Sequence, residues 1–339
     1  MTTTSTTSSA SSAPGEPPHS SGGALLTVLI AFGANLLIAI AKSIVALLSG
    51  SASMVAEAAH SWSDTGNEVL LLIAERRGSR ESDEEHPLGY GKEAYVWSMF
   101  AAMGLFTAGA VFSVMHGISQ LASPEPAGDY LMAYIVLAVS AVLEGISFLQ
   151  AFRQAHARAK SRGMGTIEGV LQTSNPTLRA VFAEDSAALI GLALAALGIV
   201  LHEITGSAVY DAIGSICIGV LLAVVAVILL DRNRRFLVGQ ETSDEIEQAI
   251  IDRMLEHRDV ARVTYIHLEY VGPERLFLVA AIDIVGNEAE SRVAEALRRI
   301  EGDLERDPHI SEAVLTLSVP GDPDLHASSP ASTEAHGRD

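Results

Sequence analysis

The chain contains few cysteine and aromatic residues, and several of its segments lack positive charge. Cys217 is the single cysteine among 339 residues, which excludes an intrachain disulfide bond. Aromatic residues make up 5% of the chain although 49% of it is hydrophobic, and the hydrophobic residues lie in long blocks instead of being scattered. The metalloprotease motif HExxH is absent, which argues against an intramembrane metalloenzyme. We expect no enzymatic activity and no permanent cofactor.

Each hydrophobic block is close to the roughly 20 residues that a helix needs to cross the hydrocarbon core of a bilayer. Six such blocks predict a multi-pass α-helical membrane protein with six transmembrane helices, so the lipid bilayer is one of its partners. The blocks lie at 24–48, 54–74, 94–118, 130–152, 181–202 and 208–230.

The distribution of Lys and Arg predicts the orientation in the membrane. The loops 49–53, 119–129 and 203–207 contain neither residue, whereas the alternate loops and the segment after the sixth block carry several. Because Lys and Arg concentrate in cytoplasmic loops, we predict that both termini are cytoplasmic. The predicted location is the plasma (cell) membrane.

The C-terminal third has a different pattern, in which two amphipathic helices and three strand-like runs follow the order αββαβ. This order is typical of a small α+β domain of the ferredoxin-like type, with its helices on one face of the sheet. Residues 236–339 carry 22 Asp and Glu against nine Arg and no Lys, which argues against nucleic acid as a partner. The predicted segments are a disordered tail at 1–23, a transmembrane domain at 24–235, a cytoplasmic α+β domain at 240–320 and a disordered tail at 321–339.

Two ionisable residues, His60 and Asp64, lie one helical turn apart in the second hydrophobic block. They share a helix face, and ionisable groups inside a bilayer usually mark a substrate or ion pathway. Imidazole and carboxylate together bind divalent transition metals. A second acidic pair, Glu184 and Asp185, begins another apolar run, which favours a metal pathway over a polar pair that only satisfies a neighbouring helix.

Two sequence segments carry a resemblance to a known family. The segment SGSASMVAEAAHSWSD at 49–64 is similar to the start of the second helix of the cation diffusion facilitator family, and HPLGYGK at 86–92 is similar to its next loop. With six helices and the αββαβ domain, the resemblance covers about residues 24–320. It implies a homodimeric antiporter that exchanges cytoplasmic divalent metal, most often zinc, for protons.

The resemblance implies a transport site with two ligands from the second helix, which match His60 and Asp64, and two from the fifth helix. Asp185 matches one of the latter, but Val181 stands where the fourth ligand is expected. Glu184 and Asn67 are candidate replacements. For Glu184 the alternative is an ion pair or water contact near the helix end, and for Asn67 it is a hydrogen bond between helices.

Further metal sites of the family match less well. In the loop after the second helix, Asp83 and His86 match two ligands of a peripheral site, but Tyr90 replaces the third, so a solvated acidic loop is the favoured interpretation. In the C-terminal domain, Thr264 stands at the position of a histidine in the first strand, and the last strand has no ligand. We therefore expect this domain to dimerise without a metal cluster.

Other polar residues have structural explanations. Lys42 is predicted either to pair with an acidic side chain of the bundle or to reach the membrane interface; the candidate partners are Glu57, Glu68 and Glu144. His202 and Asp211 flank the loop between the fifth and sixth helices, and we expect them to lie in water.

Metal binding requires deprotonated ligands, so the predicted site couples metal to protons by direct competition. The ligand types suit zinc but also manganese, iron or cobalt. A cation channel is the alternative to an antiporter, and it is distinguished by flux that is insensitive to pH.

Overall fold

A computed structural model describes residues 21–123, 130–161 and 163–325. Among the described residues up to Val238, all regular secondary structure is helical. A π-helical turn at Ala102–Phe106 joins α3 and α4 into one continuous crossing, and the short helix α6 lies in the connection after α5. The helices are α1 (Ser21–Ser49), α2 (Ala52–Gly78), α3 (Glu93–Ala101), α4 (Thr107–Ala122), α5 (Leu131–Ser161), α6 (Thr166–Gln172), α7 (Pro176–Thr205) and α8 (Val209–Val238).

Five helical segments of the described residues are long and apolar enough to cross a membrane, which confirms the multi-pass helical fold. Helix α2 does not meet this criterion of composition, although its 27 residues span about 40 Å. It packs against α1, α3, α4, α7 and α8, and many of its polar side chains are buried among them. We therefore interpret α2 as the remaining predicted crossing. The five apolar segments are Phe32–Ser49, Glu93–Ala122, Leu131–Lys160, Pro176–Thr205 and Val209–Val238.

The C-terminal part has the predicted αββαβ order. Strand β2 lies in the centre of the sheet, antiparallel to β1 and parallel to β3. Alternate residues of β2, including Leu278 and Ile282, are buried in a core with Met254 and Ile300 from the two helices. The elements are α9 (Asp244–Leu255), β1 (Val260–Gly272), β2 (Arg275–Ile284), α10 (Glu290–Leu304) and β3 (Ile310–Leu317).

The described part of the predicted C-terminal tail is not disordered. The backbone nitrogen of Leu325 donates to the oxygen of Val263 at 2.8 Å, and Arg262 donates to the Asp322 carbonyl oxygen and to the Asp324 carboxylate. These bonds fasten residues 321–325 to β1, so the predicted boundary at 321 lies too early. The remainder of this tail and residues 1–20 of the N-terminal tail lie outside the described residues.

The two parts of the chain share a packed junction. Tyr95 of α3 stacks on Phe236 of α8 with ring centroids 5.2 Å apart, and Tyr270 of β1 meets the same ring edge-on at 5.3 Å. Gly91, from the loop segment 86–92, touches the backbone of Gly272 in the β1–β2 turn. The loop that carries part of the family resemblance therefore belongs to the contact between the transmembrane and C-terminal domains.

Replacement of Gly91 by alanine should loosen this junction. The added Cβ would lie 2.5 Å from the Val271 carbonyl oxygen and 2.6 Å from the Gly272 Cα, and backbone atoms of a sheet cannot shift cheaply. We expect a loss of about 1–3 kcal/mol in stability and faster amide exchange in the β1–β2 turn. Gly302→Ala in α10, where a Cβ meets nothing within 4 Å, is the control and should not destabilise. Equal stability of the Gly91→Ala variant would contradict the close contact.

Candidate metal centre

His60 and Asp64 lie side by side in the interior of the helical bundle. The distance between His60 Nε2 and Asp64 Oδ1 is 3.4 Å, as the i, i+4 spacing predicted. His60 is 1% exposed and Asp64 is 6% exposed. Among the residues that the structure describes, neither ring nitrogen of His60 has a hydrogen-bond partner, and neither does Asp64 Oδ1. Buried polar atoms are nearly always paired, so these three atoms are available to an ion.

Helix α7 approaches this pair closely at Gly191. A Cβ at Gly191 would lie 3.5 Å from His60 Nδ1 and 2.4 Å from Glu57 Oε1, so any side chain there would displace these groups. The glycine thus allows the backbone of α7 to lie against the ligand-bearing face of α2. Six residues earlier on α7, Asp185 is 6% exposed, and its Oδ2 accepts a hydrogen bond of 2.9 Å from Ser147 of α5.

Asn67 and Glu184 form a direct contact between α2 and α7. The Asn67 side-chain nitrogen donates to Glu184 Oε2 at 2.5 Å, and both residues are buried. This is the hydrogen bond between helices that was the alternative for Asn67 in the sequence. This bond does not involve the side-chain carbonyl oxygen of Asn67, whereas it occupies Glu184 Oε2.

The structure places His60 beside Asp64 and Asn67 beside Glu184. It does not place the three predicted ligands, His60, Asp64 and Asp185, in one coordination sphere. Within residues 21–123, 130–161 and 163–325, no group of three or more His, Cys, Asp or Glu side chains lies close enough to hold a metal ion. Val181, one turn before Asp185, packs against an apolar cluster that includes Phe106 and Leu222. Ligation by both α2 and α7 would therefore require a shift of side chains or helices.

The loop residues Asp83 and His86 are held by hydrogen bonds inside the loop. Asp83 Oδ1 accepts from the backbone nitrogens of Glu85 and His86, and Asp83 Oδ2 accepts from the Tyr90 hydroxyl at 2.7 Å. The Tyr90 bond, together with the backbone bonds, lowers the pKa of Asp83 below its usual value. Both carboxylate oxygens thus have protein partners, and the side chains of Asp83 and His86 are exposed to solvent.

Lys42 pairs with Glu57, one of its three predicted partners. The distance from Lys42 Nζ to Glu57 Oε2 is 3.0 Å, and both side chains are fully enclosed at 1% and 0% exposure. Glu57 precedes His60 by almost one helical turn on α2. An ion pair therefore lies directly beside the candidate ligands.

The prediction that His202 and Asp211 lie in water is wrong. Asp211 has no exposed surface, and it accepts hydrogen bonds from the Ser51 hydroxyl and from the backbone nitrogens of Ala52 and Ser53. It thus caps the first turn of α2 from the neighbouring helix α8. His202 is 2% exposed and bonds through Nδ1 to the Tyr130 hydroxyl at 2.9 Å. A loop-flanking position in the sequence gave no sign of this burial.

In the C-terminal domain, the positions compared with family metal ligands make protein contacts. The Thr264 hydroxyl lies 2.6 Å from the Ser318 hydroxyl, joining β1 to the end of β3. This contact links the two strands that lie on either side of β2.

Comparison with known proteins identifies the fold. Residues 28–238, more than half of the chain, match the cation efflux transmembrane domain. The chain belongs to the cation efflux family. This assignment confirms the resemblance drawn from the segments 49–64 and 86–92, and it confirms that the protein is a multi-pass membrane protein.

Several members of the family are similar over most of this chain. Metal tolerance protein C4 of Arabidopsis thaliana is 34% identical over 238 residues, which is 70% of this chain and 52% of the plant protein. The human proton-coupled zinc antiporter SLC30A9, described as mitochondrial, is 32% identical over 259 residues, or 76% of this chain and 46% of its own. The chain therefore spans about half the length of these two relatives. Magnetosome protein MamB of Magnetospira sp. (strain QH-2) is 23% identical, and 91% of its length is covered.

Proposed function

We propose that the protein exports divalent metal cations, with zinc as its principal substrate, in exchange for protons. The observation that carries this proposal is the buried His60–Asp64 pair, whose facing atoms lack hydrogen-bond partners inside a helix of membrane length. Imidazole and carboxylate are ligands that zinc accepts. A human relative of 32% identity is named a proton-coupled zinc antiporter, which supports both the metal and the coupling.

Coupling to protons follows from the chemistry of the proposed ligands. A metal ion binds to neutral imidazole and to ionised carboxylate, so its arrival displaces protons from His60, Asp64 and Asp185. Protons that enter from the other side would then displace the metal. The separation of Asp185 from the α2 pair in this structure supports alternating access, in which α2 and α7 close around the ion during only part of the cycle.

The test is a flux measurement in proteoliposomes that contain the purified full chain. Addition of zinc outside should move protons out of the vesicles, and the proton flux should rise with zinc concentration and saturate. Scanning cadmium, manganese, iron, cobalt and nickel would establish the metal preference. Zinc flux that proceeds without proton movement, or that is unchanged between pH 6 and pH 8, would favour a cation channel and contradict the antiport.

We also propose that the protein works as a homodimer in the cell membrane, with both termini and the C-terminal domain in the cytoplasm. The dimer rests on the family, and the orientation rests on the loops that lack Lys and Arg. Light scattering of the detergent-solubilised chain in the presence of chelator would measure its mass. Accessibility of single cysteines introduced at exposed positions of the segments 80–86 and 203–206 would measure its orientation, and fractionation would distinguish the cell membrane from an organelle.

Replacement of Val181 by histidine should change the metal preference. Val181 and Asp185 lie one turn apart on α7, so the new imidazole would come within reach of the ion that Asp185 binds. Because imidazole favours zinc whereas oxygen ligands suit manganese, we expect zinc binding to tighten and the preference over manganese to rise about tenfold. Equilibrium binding of both metals to the purified variant is the measurement.

Val181 packs against an apolar cluster, so Val181→Leu serves as the control that separates size from ligation. If Glu184 already supplies the fourth ligand, Val181→His should add nothing. In that case Glu184→Gln should weaken zinc binding as much as Asp185→Asn does.

A further inference from the structure

The buried pair of Lys42 and Glu57 is only half satisfied. Glu57 Oε2 accepts from the Lys42 ammonium at 3.0 Å, but Glu57 Oε1 is buried and has no hydrogen-bond partner within the described part of the chain. A purely structural ion pair would be expected to satisfy both oxygens, because an unpaired buried oxygen costs free energy. This half of the carboxylate therefore requires an explanation other than packing.

The unpaired oxygen lies on the side of the candidate ligands. Glu57 Oε1 and His60 Nδ1 both lie against the α7 backbone at Gly191, and His60 Nδ1 is itself without a partner. The two ring nitrogens of His60 thus face different carboxylates: Nε2 faces Asp64, and Nδ1 lies on the same side as Glu57. Glu57 is thus a further buried carboxylate beside His60, and its charge is balanced by Lys42.

We propose that Lys42 is a built-in positive charge that limits the affinity of the His60–Asp64 site for its metal. Lys42 pairs with Glu57, which precedes His60 by three residues on α2, so its ammonium opposes a divalent ion bound at the His60–Asp64 site. By occupying Glu57 Oε2, it also prevents that carboxylate from acting as an additional ligand. A transporter must release its substrate, and without the ammonium the freed Glu57 carboxylate beside His60 would raise the affinity of the His60–Asp64 site for zinc. This inference rests on the proposed function and names a residue that sets its affinity.

The experiment compares zinc binding and transport by the purified full chain and four variants: Lys42→Met, Glu57→Gln, the double variant Lys42→Met/Glu57→Gln, and Lys42→Arg. Lys42→Met removes the opposing charge and frees Glu57. Its zinc Kd should fall by about tenfold or more, given the strength of charge interactions inside a protein. KM and kcat for zinc should both decrease, because release becomes slow. Glu57→Gln leaves the ammonium unpaired beside the site and should weaken zinc binding by a similar factor.

The double variant removes both charges, so its zinc Kd should return toward that of the wild type. Lys42→Arg keeps the positive charge, so its zinc Kd should stay close to that of the wild type. A pair with only a structural role predicts a different pattern, in which the single variants lose thermal stability, the double variant regains it, and the Kd of the folded protein stays constant throughout. That pattern, or weaker zinc binding by Lys42→Met, would overturn the inference.

Wild-type protein and Asp64→Asn separate this inference from the proposed function. If the wild type neither binds nor transports any divalent metal, the proposed function fails. If the wild type transports zinc, Asp64→Asn does not, and Lys42→Met retains the wild-type Kd, then the site stands and only the role of Lys42 is refuted.

Discussion

Asp64→Asn and Asp185→Asn should each reduce zinc-driven proton flux at least about a hundredfold. A neutral amide has nearly the shape of a carboxylate, but it neither carries the charge that a metal ion needs nor releases a proton when the ion arrives. Asp64 has an unpaired buried oxygen 3.4 Å from His60 Nε2, and Asp185 receives a hydrogen bond from Ser147 that an amide oxygen can still accept. The loss should therefore appear in transport without a matching loss of folded protein.

Glu203→Gln is the matched control for these two variants. Glu203 lies on the same helix as Asp185, but it is exposed, and its carboxylate accepts a hydrogen bond from the Tyr134 hydroxyl at 2.7 Å. Its neutralisation should leave the flux within about twofold of the wild type. Fluxes are measured in proteoliposomes with equal amounts of folded protein, checked by gel filtration. Near-normal flux through either aspartate variant would refute the assignment of that residue.

The elements of the fold could be predicted because they depend on local patterns. Long apolar blocks revealed the membrane helices, and a change of periodicity after residue 240 revealed the αββαβ domain. Their ends were less accurate, because α7 begins at Pro176 and α8 continues to Val238, beyond the apolar blocks at 181–202 and 208–230. Polar turns at both ends still form helix, and hydrophobicity alone does not detect them.

Part of the candidate metal site could be predicted from the sequence for the same reason. The spacing of His60 and Asp64 is local to one helix, so their contact follows from helical geometry. The partner of Lys42 had to be chosen from three carboxylates on other helices, and only the packing of α1 against α2 selects Glu57. The bond between Asn67 and Glu184 joins residues 117 positions apart. Such choices depend on how helices meet, which a single sequence does not specify.

Asp211 is the clearest case of a residue whose role depends on long-range structure. In the sequence it stands beside a short loop and resembles a solvated surface group. In the fold, its two carboxylate oxygens receive hydrogen bonds from the Ser51 hydroxyl at 2.9 Å and from the nitrogens of Ala52 at 2.6 Å and Ser53 at 3.2 Å. The Ser53 hydroxyl in turn donates to the Asp211 carbonyl oxygen at 2.8 Å. A negative charge at the first turn of α2 also stabilises the helix dipole.

Asp211→Ala should therefore be strongly destabilising. It would leave the Ser51 hydroxyl and two backbone N–H groups buried without an acceptor, and each such donor costs about 1–3 kcal/mol. We expect a loss of at least about 3 kcal/mol, and a decrease of roughly 10 °C in the Tm of the detergent-solubilised protein. Asp211→Asn keeps one acceptor oxygen but turns an N–H toward a donor, so its Tm should lie between those of the alanine variant and the wild type.

The consequence should extend to the metal site, because α2 carries His60 and Asp64 about two and a half and three and a half turns after the cap. If Asp211 anchors this helix to α8, the folded fraction of Asp211→Ala should bind zinc more weakly than the wild type, although residue 211 does not belong to the site. Exposed Glu203→Gln, on the helix that precedes the same loop, should change neither the Tm nor the zinc Kd. A Tm for Asp211→Ala within about 2 °C of the wild type would mean that the first turn of α2 does not need its cap. An unchanged zinc Kd with a large drop in Tm would mean that the cap stabilises the fold without positioning the ligands.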